Sequence, residues 1–109
     1  MLKLNALQRK SLTAQAHHIN PIVIIGKNGL TAEVLNELDR GLSSHELIKI
    51  KILNGDRKAR TLLFEKICLQ LNAFPINHIG KILVIYRPET AEKEQSSLIE
   101  ENHLADKGS

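Results

Sequence analysis

A single cysteine, Cys68, is the only thiol in the chain, and among 109 residues there is no tryptophan, one tyrosine and two phenylalanines. A lone cysteine cannot close an internal disulfide, and no cysteine cluster exists to hold zinc or an iron–sulfur centre, so an intracellular setting and no metal cofactor are expected. No run approaches the roughly 18 apolar residues that cross a bilayer, and the start of the chain lacks a basic patch followed by an apolar stretch and a cleavage site. The expectation is a cytoplasmic protein without a membrane partner. Phe64, Phe74 and Tyr86 are too few for an aromatic platform on which bases stack, which favours backbone contact over base reading if the partner is a nucleic acid. Neither G-x-G-x-x-G nor G-x-x-x-x-G-K-[ST] occurs, so nucleotide hydrolysis has no motif to stand on, and no small-molecule substrate or cofactor is expected.

What is present is the balance of a folded protein, 42% hydrophobic and 25% charged, at a length that suits one packed core. Net charge is only +3, but it is unevenly spread. Met1 to Arg87 carries 13 Lys/Arg against 6 Asp/Glu, a balance of +7, whereas Pro88 to Ser109 carries 2 against 6, a balance of −4. The reading is a basic domain over residues 1–88 and an acidic, mobile tail over 89–109 that can compete for the basic face. A basic body suits a polyanion, because lysines and arginines that neutralise phosphates release condensed counterions.

Periodicity predicts seven elements. Asn5 and Gln8 form a capping box for a first helix running to about His18, and Asn20-Pro21 stops it. Ile22 to Ile25 reads as a strand buried on both faces. Thr31 caps a second helix with an apolar stripe at Val34, Leu35, Leu38 and Leu42, with Gly41 near its end. Leu47 to Leu53 alternates, placing Ile48, Ile50 and Ile52 on one face and Lys49 and Lys51 on the other. Asp56 caps a third helix carrying Ala59, Leu63, Ile67 and Leu71, stopped by Phe74-Pro75. Ile76 to Ile79 and Ile82 to Arg87 form a hairpin about Gly80-Lys81. The order α-β-α-β-α-β-β predicts a compact α/β domain with a four-stranded mixed sheet packed by three helices.

The segment with chemistry in it is Gly26-Lys27-Asn28-Gly29, between a strand and a helix N-terminus. Two glycines remove side chains that would hold a polyanion away, backbone amides and the helix dipole can face a phosphate, Lys27 adds positive charge and Asn28 a hydrogen bond. Lys49 and Lys51 share a strand face. Arg57, Lys58 and Arg60 occupy the first turns of the third helix, where they oppose its dipole, a placement better explained by an external anion than by helix chemistry, with solvated surface charge the equal alternative for any one of them. Lys81 at the hairpin tip and Arg87 at the strand end complete the candidate RNA-binding set. Glu46 is read as structural.

Taken in order, Ile25-Gly26-Lys27-Asn28-Gly29-Leu30-Thr31, His45-Glu46-Leu47-Ile48-Lys49-Ile50-Lys51, Ile79-Gly80-Lys81 and Tyr86-Arg87-Pro88 resemble the bacterial YhbY family, single copies of the CRM domain, over about Leu4 to Pro88. The resemblance implies a fold similar to the C-terminal domain of a bacterial translation initiation factor and RNA binding through the GXXG loop. For bacterial members it also implies association with ribosomal RNA in precursors of the large ribosomal subunit, in ribosome assembly. Separately, a monomeric protein that is not an enzyme is expected. Two departures stand out: Gly41, where the family more often has alanine and where a helix end is expected to fray, and the unmatched acidic tail.

The rival class is a protein-interaction module that docks its basic face on an acidic protein. Adjacent His17 and His18 point in different directions on a helix and make a poor metal site. Cys68, among apolar helix neighbours, reads as a packed thiol rather than a nucleophile.

Overall fold

The computed structural model describes residues 4–88, so the acidic segment 89–109 and its expected mobility lie outside the described residues. Helix α1 (Ala6–Ala16) is followed by strand β1 (Pro21–Ile25), helix α2 (Ala32–His45), strand β2 (Leu47–Ile52), helix α3 (Arg57–Leu71), and strands β3 (Phe74–Ile79) and β4 (Ile82–Tyr86). The three N-caps fall on the residues that the sequence marks. Asn5 and Gln8 exchange side-chain and backbone hydrogen bonds as a full capping box, Thr31 accepts from the Val34 amide, and Asp56 accepts from that of Ala59. Each satisfies helix donors that would otherwise lack a partner. α1 ends two residues earlier than expected, because His17 and His18 close tight turns onto Ala14 and Gln15.

The strands form one mixed sheet in the order β1-β2-β4-β3, with β1 and β2 parallel and the other two pairings antiparallel. Its two faces carry separate cores. α2 and α3 cover one, over Val23, Ile25, Ile48, Ile50, Ile52, Leu83 and Ile85; α1 covers part of the other, with Leu12 and Ala16 over Leu47, Ile76 and Val84. Strand alternation produces both sets at once, since successive side chains point to opposite faces.

Three local expectations are corrected. β1 is not buried on both faces: it is an edge strand beyond the reach of α1, so Val23 and Ile25 are buried while Ile22 and Ile24 are exposed. β3 begins at Phe74 rather than Ile76, and it accepts Pro75 because an edge strand with a register shift after that residue tolerates a missing donor. Gly41 does not fray a helix end. It is buried within α2, four residues before its last residue, where an added Cβ would crowd only the tip of the exposed Ile22 side chain, which can turn aside.

Candidate nucleic-acid interface

The topology gathers three connections at one end of the sheet. The parallel strands β1 and β2 both finish there, β3 finishes there and β4 begins there. The GKNG loop, the Asn54-Gly55-Asp56 turn and the Gly80-Lys81 hairpin therefore sit side by side. Backbone hydrogen bonds lock them together: the Leu53 amide donates to Ile25 O at 3.0 Å and the Ile52 amide to Lys81 O at 2.8 Å. Because α2 follows the first connection and α3 the second, two helix N-termini open toward the same rim.

The loop is a tight turn, closed by the Gly29 amide donating to Gly26 O at 3.0 Å. Its two glycines have different reasons to be there. Gly29 has φ +69°, a conformation that side chains strain to adopt, so the turn itself calls for glycine. Gly26 has no positive φ, and a Cβ added to it would meet nothing within 4 Å. Neither backbone conformation nor packing calls for a glycine at position 26. Lys27 and Asn28 are exposed at the turn, and their amides make no hydrogen bond among the described residues.

Of the eleven residues singled out from sequence, nine lie at this rim: Gly26, Lys27, Asn28, Gly29, Lys51, Arg57, Lys58, Arg60 and Lys81. Lys51, at the exposed end of β2, rises on the α1 side, whereas α3 presents Arg57 and Lys58 on the opposite side, so the cations wrap around the sheet end. Arg57 Nη2 reaches His78 O at 3.4 Å, and the half-buried Arg60 donates through Nη1 to Gly55 O at 2.9 Å, bracing the turn before its own helix. None of Lys27, Lys51, Arg57, Lys58, Arg60 and Lys81 is ion-paired among the described residues. Lys49 is half-buried and lies one strand repeat further back, about 7 Å from Lys51.

Arg87 is a correction. It lies just beyond β4 at the far end of the sheet and is only 5% exposed. Its guanidinium makes a 2.8 Å ion pair with Asp39 and donates to Leu71 O, Asp39 O and Ser43 Oγ, tying α2 to the end of α3. The Arg87 amide donates to Glu46 O, whose residue caps α2 at φ 65°. A terminal arginine read as a surface cation is therefore an internal strut, and Glu46 has the structural place expected of it.

His78 was missed. It faces α3 from β3, edge-on to the Phe64 ring at 5.9 Å and 75°. Burial, then the neighbouring Arg57 and Arg60 charges, hold its imidazole below the usual histidine range, against an opposing hydrogen bond with the Gly80 backbone. Position parity on β3 is the signal that could have found it, since His78 shares a face with the α3-side core. Burial pushes the Cys68 thiol up to about 12, which keeps it protonated and a poor nucleophile at neutral pH. Among the described residues no group of three or more His, Cys, Asp and Glu is placed to hold a metal ion, and no helix is long and apolar enough to cross a membrane.

These features define an α/β domain with a glycine turn, two helix N-termini and a rim of cations without ion pairs among the described residues. The chain belongs to the CRS1 / YhbY (CRM) domain family, whose model matches residues 4–87. It is 42% identical over 95 residues to a Haemophilus influenzae protein named as an RNA-binding protein, covering 87% of this chain and 96% of that one. A Pseudomonas aeruginosa protein, named as a probable RNA-binding protein, is 40% identical over 80 residues, covering 73% and 77%. The solution structure of a hypothetical protein from Staphylococcus aureus superposes with a TM-score of 0.71 at 31% identity, covering 79% of this chain and 90% of that one.

Proposed function

We propose that this protein binds RNA without acting on it chemically, and that the rim around Gly26-Lys27-Asn28-Gly29 grips the RNA backbone. The observation that carries the reading is Gly26. Neither backbone conformation nor packing calls for a glycine there, and the space its missing side chain leaves opens beside Lys27. A phosphate placed in it meets free amides of the turn, the dipole of α2 and the ammonium of Lys27. Lys51, Arg57, Lys58, Arg60 and Lys81 then extend the grip along a strand, with Lys49 as a flanking contact. The names of the relatives from Haemophilus and Pseudomonas support RNA over other polyanions.

The finer reading follows from the YhbY resemblance. The partner is ribosomal RNA in precursors of the large subunit, and the protein's role is to assist assembly; a cytoplasmic setting and a monomeric state complete the proposal. Co-sedimentation of the protein with ribosomal particles, followed by crosslinking, tests both levels. The expected result is enrichment with precursor large subunits, lost on ribonuclease treatment, with crosslinks at the GKNG loop. An interaction that survives ribonuclease and is not competed by RNA would replace this reading with docking of the basic rim on an acidic protein.

A further inference from the structure

α1 does not reach across the whole face it packs on. The strand registers align Ile24 of β1, Lys51 of β2, Ile82 of β4 and Ile79 of β3 as one row across the sheet, and alternation turns all four to the α1 side. The rows behind are covered: Val84 and Leu47 are buried beneath Leu12 and Ala16. The front row is not. Ile24 and Ile79 are each 58% exposed, Lys51 between them is exposed, and Ile82 is only partly covered. The row lies directly inside the rim, two residues before Gly26 at one edge and one residue before Gly80 at the other.

We propose that this row is a platform for unpaired nucleobases, which makes single-stranded RNA the preferred form of the ligand. The inference rests on the backbone grip proposed above and adds a second surface to it. Contacts to phosphate alone serve a duplex and a single strand alike, but only a single strand offers the apolar faces of its bases. The row supplies an apolar strip of matching kind, about 14 Å from β1 to β3 by three strand spacings. Its charge pattern selects the occupant. Lys51 stands within the row, Lys49 behind it and Lys27 and Lys81 at its margins, so whatever covers the isoleucines must also be anionic. A second copy of this chain laid on the same face would bring a second set of exposed lysines up to Lys51, with no anion among them to offset the charge. An uncharged apolar segment would have to desolvate that ammonium without a partner.

Aromatic stacking has no part in this platform. Phe64 is buried in the core beneath α3, and Phe74 and Tyr86 stack on each other at 6.4 Å, two rows further back. Bases would lie on isoleucine and on the methylene stem of Lys51, contacts that carry little sequence preference.

The test is binding of three probes: a single-stranded oligouridine 12-mer, the same strand with abasic riboses at its central positions, and a 12-base-pair RNA duplex. The wild type is expected to bind the oligouridine at least tenfold more tightly than either of the others. Ile24→Thr with Ile79→Thr, which keeps β-branched residues in both strands, should cost about tenfold on oligouridine, leave duplex affinity unchanged and preserve the salt slope, because no phosphate contact is lost. Gly26→Glu should weaken all three. If the wild type binds abasic RNA or duplex as tightly as oligouridine, the platform is overturned while the backbone grip stands. If it binds none of them, the proposed function fails and the platform with it. A dimer in sedimentation that the isoleucine changes dissolve would assign the row to a second copy and overturn the proposal.

Discussion

At one end of the sheet Arg87 is buried, ion-paired with Asp39 and hydrogen-bonded to two carbonyls; at the other, Lys27, Lys51, Arg57, Lys58 and Lys81 stand without an ion pair among the described residues. Helix polarity explains why the two ends differ. Arg87 meets the closing turn of α3 at Leu71 O, where carbonyls point outward and a cation is favoured, and is held from α2 by the Asp39 carboxylate and carbonyl and the Ser43 hydroxyl. The opposite rim receives the N-termini of the same two helices, where amides point outward and a cation is disfavoured. Positive charge at the Arg87 end is neutralised from within, whereas positive charge at the rim gains nothing until an anion arrives. One end stabilises the fold, and the other is the end proposed to hold the ligand.

The comparison breaks most visibly if variants at the two ends fail to separate binding from stability. Gly26→Glu should lower RNA affinity about 100-fold or more, by filling the phosphate position with a carboxylate, while urea unfolding stays within about 0.5 kcal/mol of wild type, as for other exposed sites. Arg87→Met should do the reverse. Loss of its charge-assisted hydrogen bonds should lower stability by about 2–3 kcal/mol, with the charge pair itself discounted because Asp39 is half-exposed, and the protein that remains folded should bind RNA with unchanged affinity.

Smaller effects sharpen the boundary of the rim. Lys51→Ala should reduce the slope of log K against log salt by about one unit, and Lys49→Ala by less, since Lys49 is half-buried and set back. Equal slopes for both variants and wild type would remove this strand face from the interface. Gly26→Ala should raise stability by about 0.4–1 kcal/mol, through a less flexible unfolded chain, and still weaken binding. A variant that gains stability and affinity together would contradict the reason given for this glycine. The smallest effect is expected at His78. Its pKa in the folded protein lies below the usual value, so the unfolded chain takes up the proton more readily, and stability should fall as pH drops through the usual histidine range. Thermal unfolding at pH 7.5 and 5.5 should show a smaller difference for His78→Gln than for wild type.

Much of the fold was legible because it depends on local pattern: the Asn5, Thr31 and Asp56 caps, the alternation around Lys49 and Lys51, and the glycines of the turns each act within a few residues. The candidate residues of the rim could be named one by one for the same reason, but their meeting at one end of the sheet depends on β1 and β2 pairing in parallel, which no local pattern shows. Arg87 was not legible. Its partners Asp39, Ser43 and Leu71 lie 48, 44 and 16 residues away, and only tertiary packing tells a terminal arginine in solvent from one under two helices. Ile24 misled for a related reason: a β-branched run looks equally buried whether its strand is central or at an edge, and strand order is a property of the whole sheet.

Backbone amide NMR of the 12.2 kDa protein during titration with single-stranded RNA tests the division between the two ends most directly. The expected result is that resonances of Gly26, Lys27, Asn28, Gly29, Gly55 and Gly80 shift in proportion to bound RNA, while those of Glu46, Leu71 and Arg87 do not move. Shifts concentrated at Glu46, Leu71 and Arg87, with the glycine turn unchanged, would contradict it.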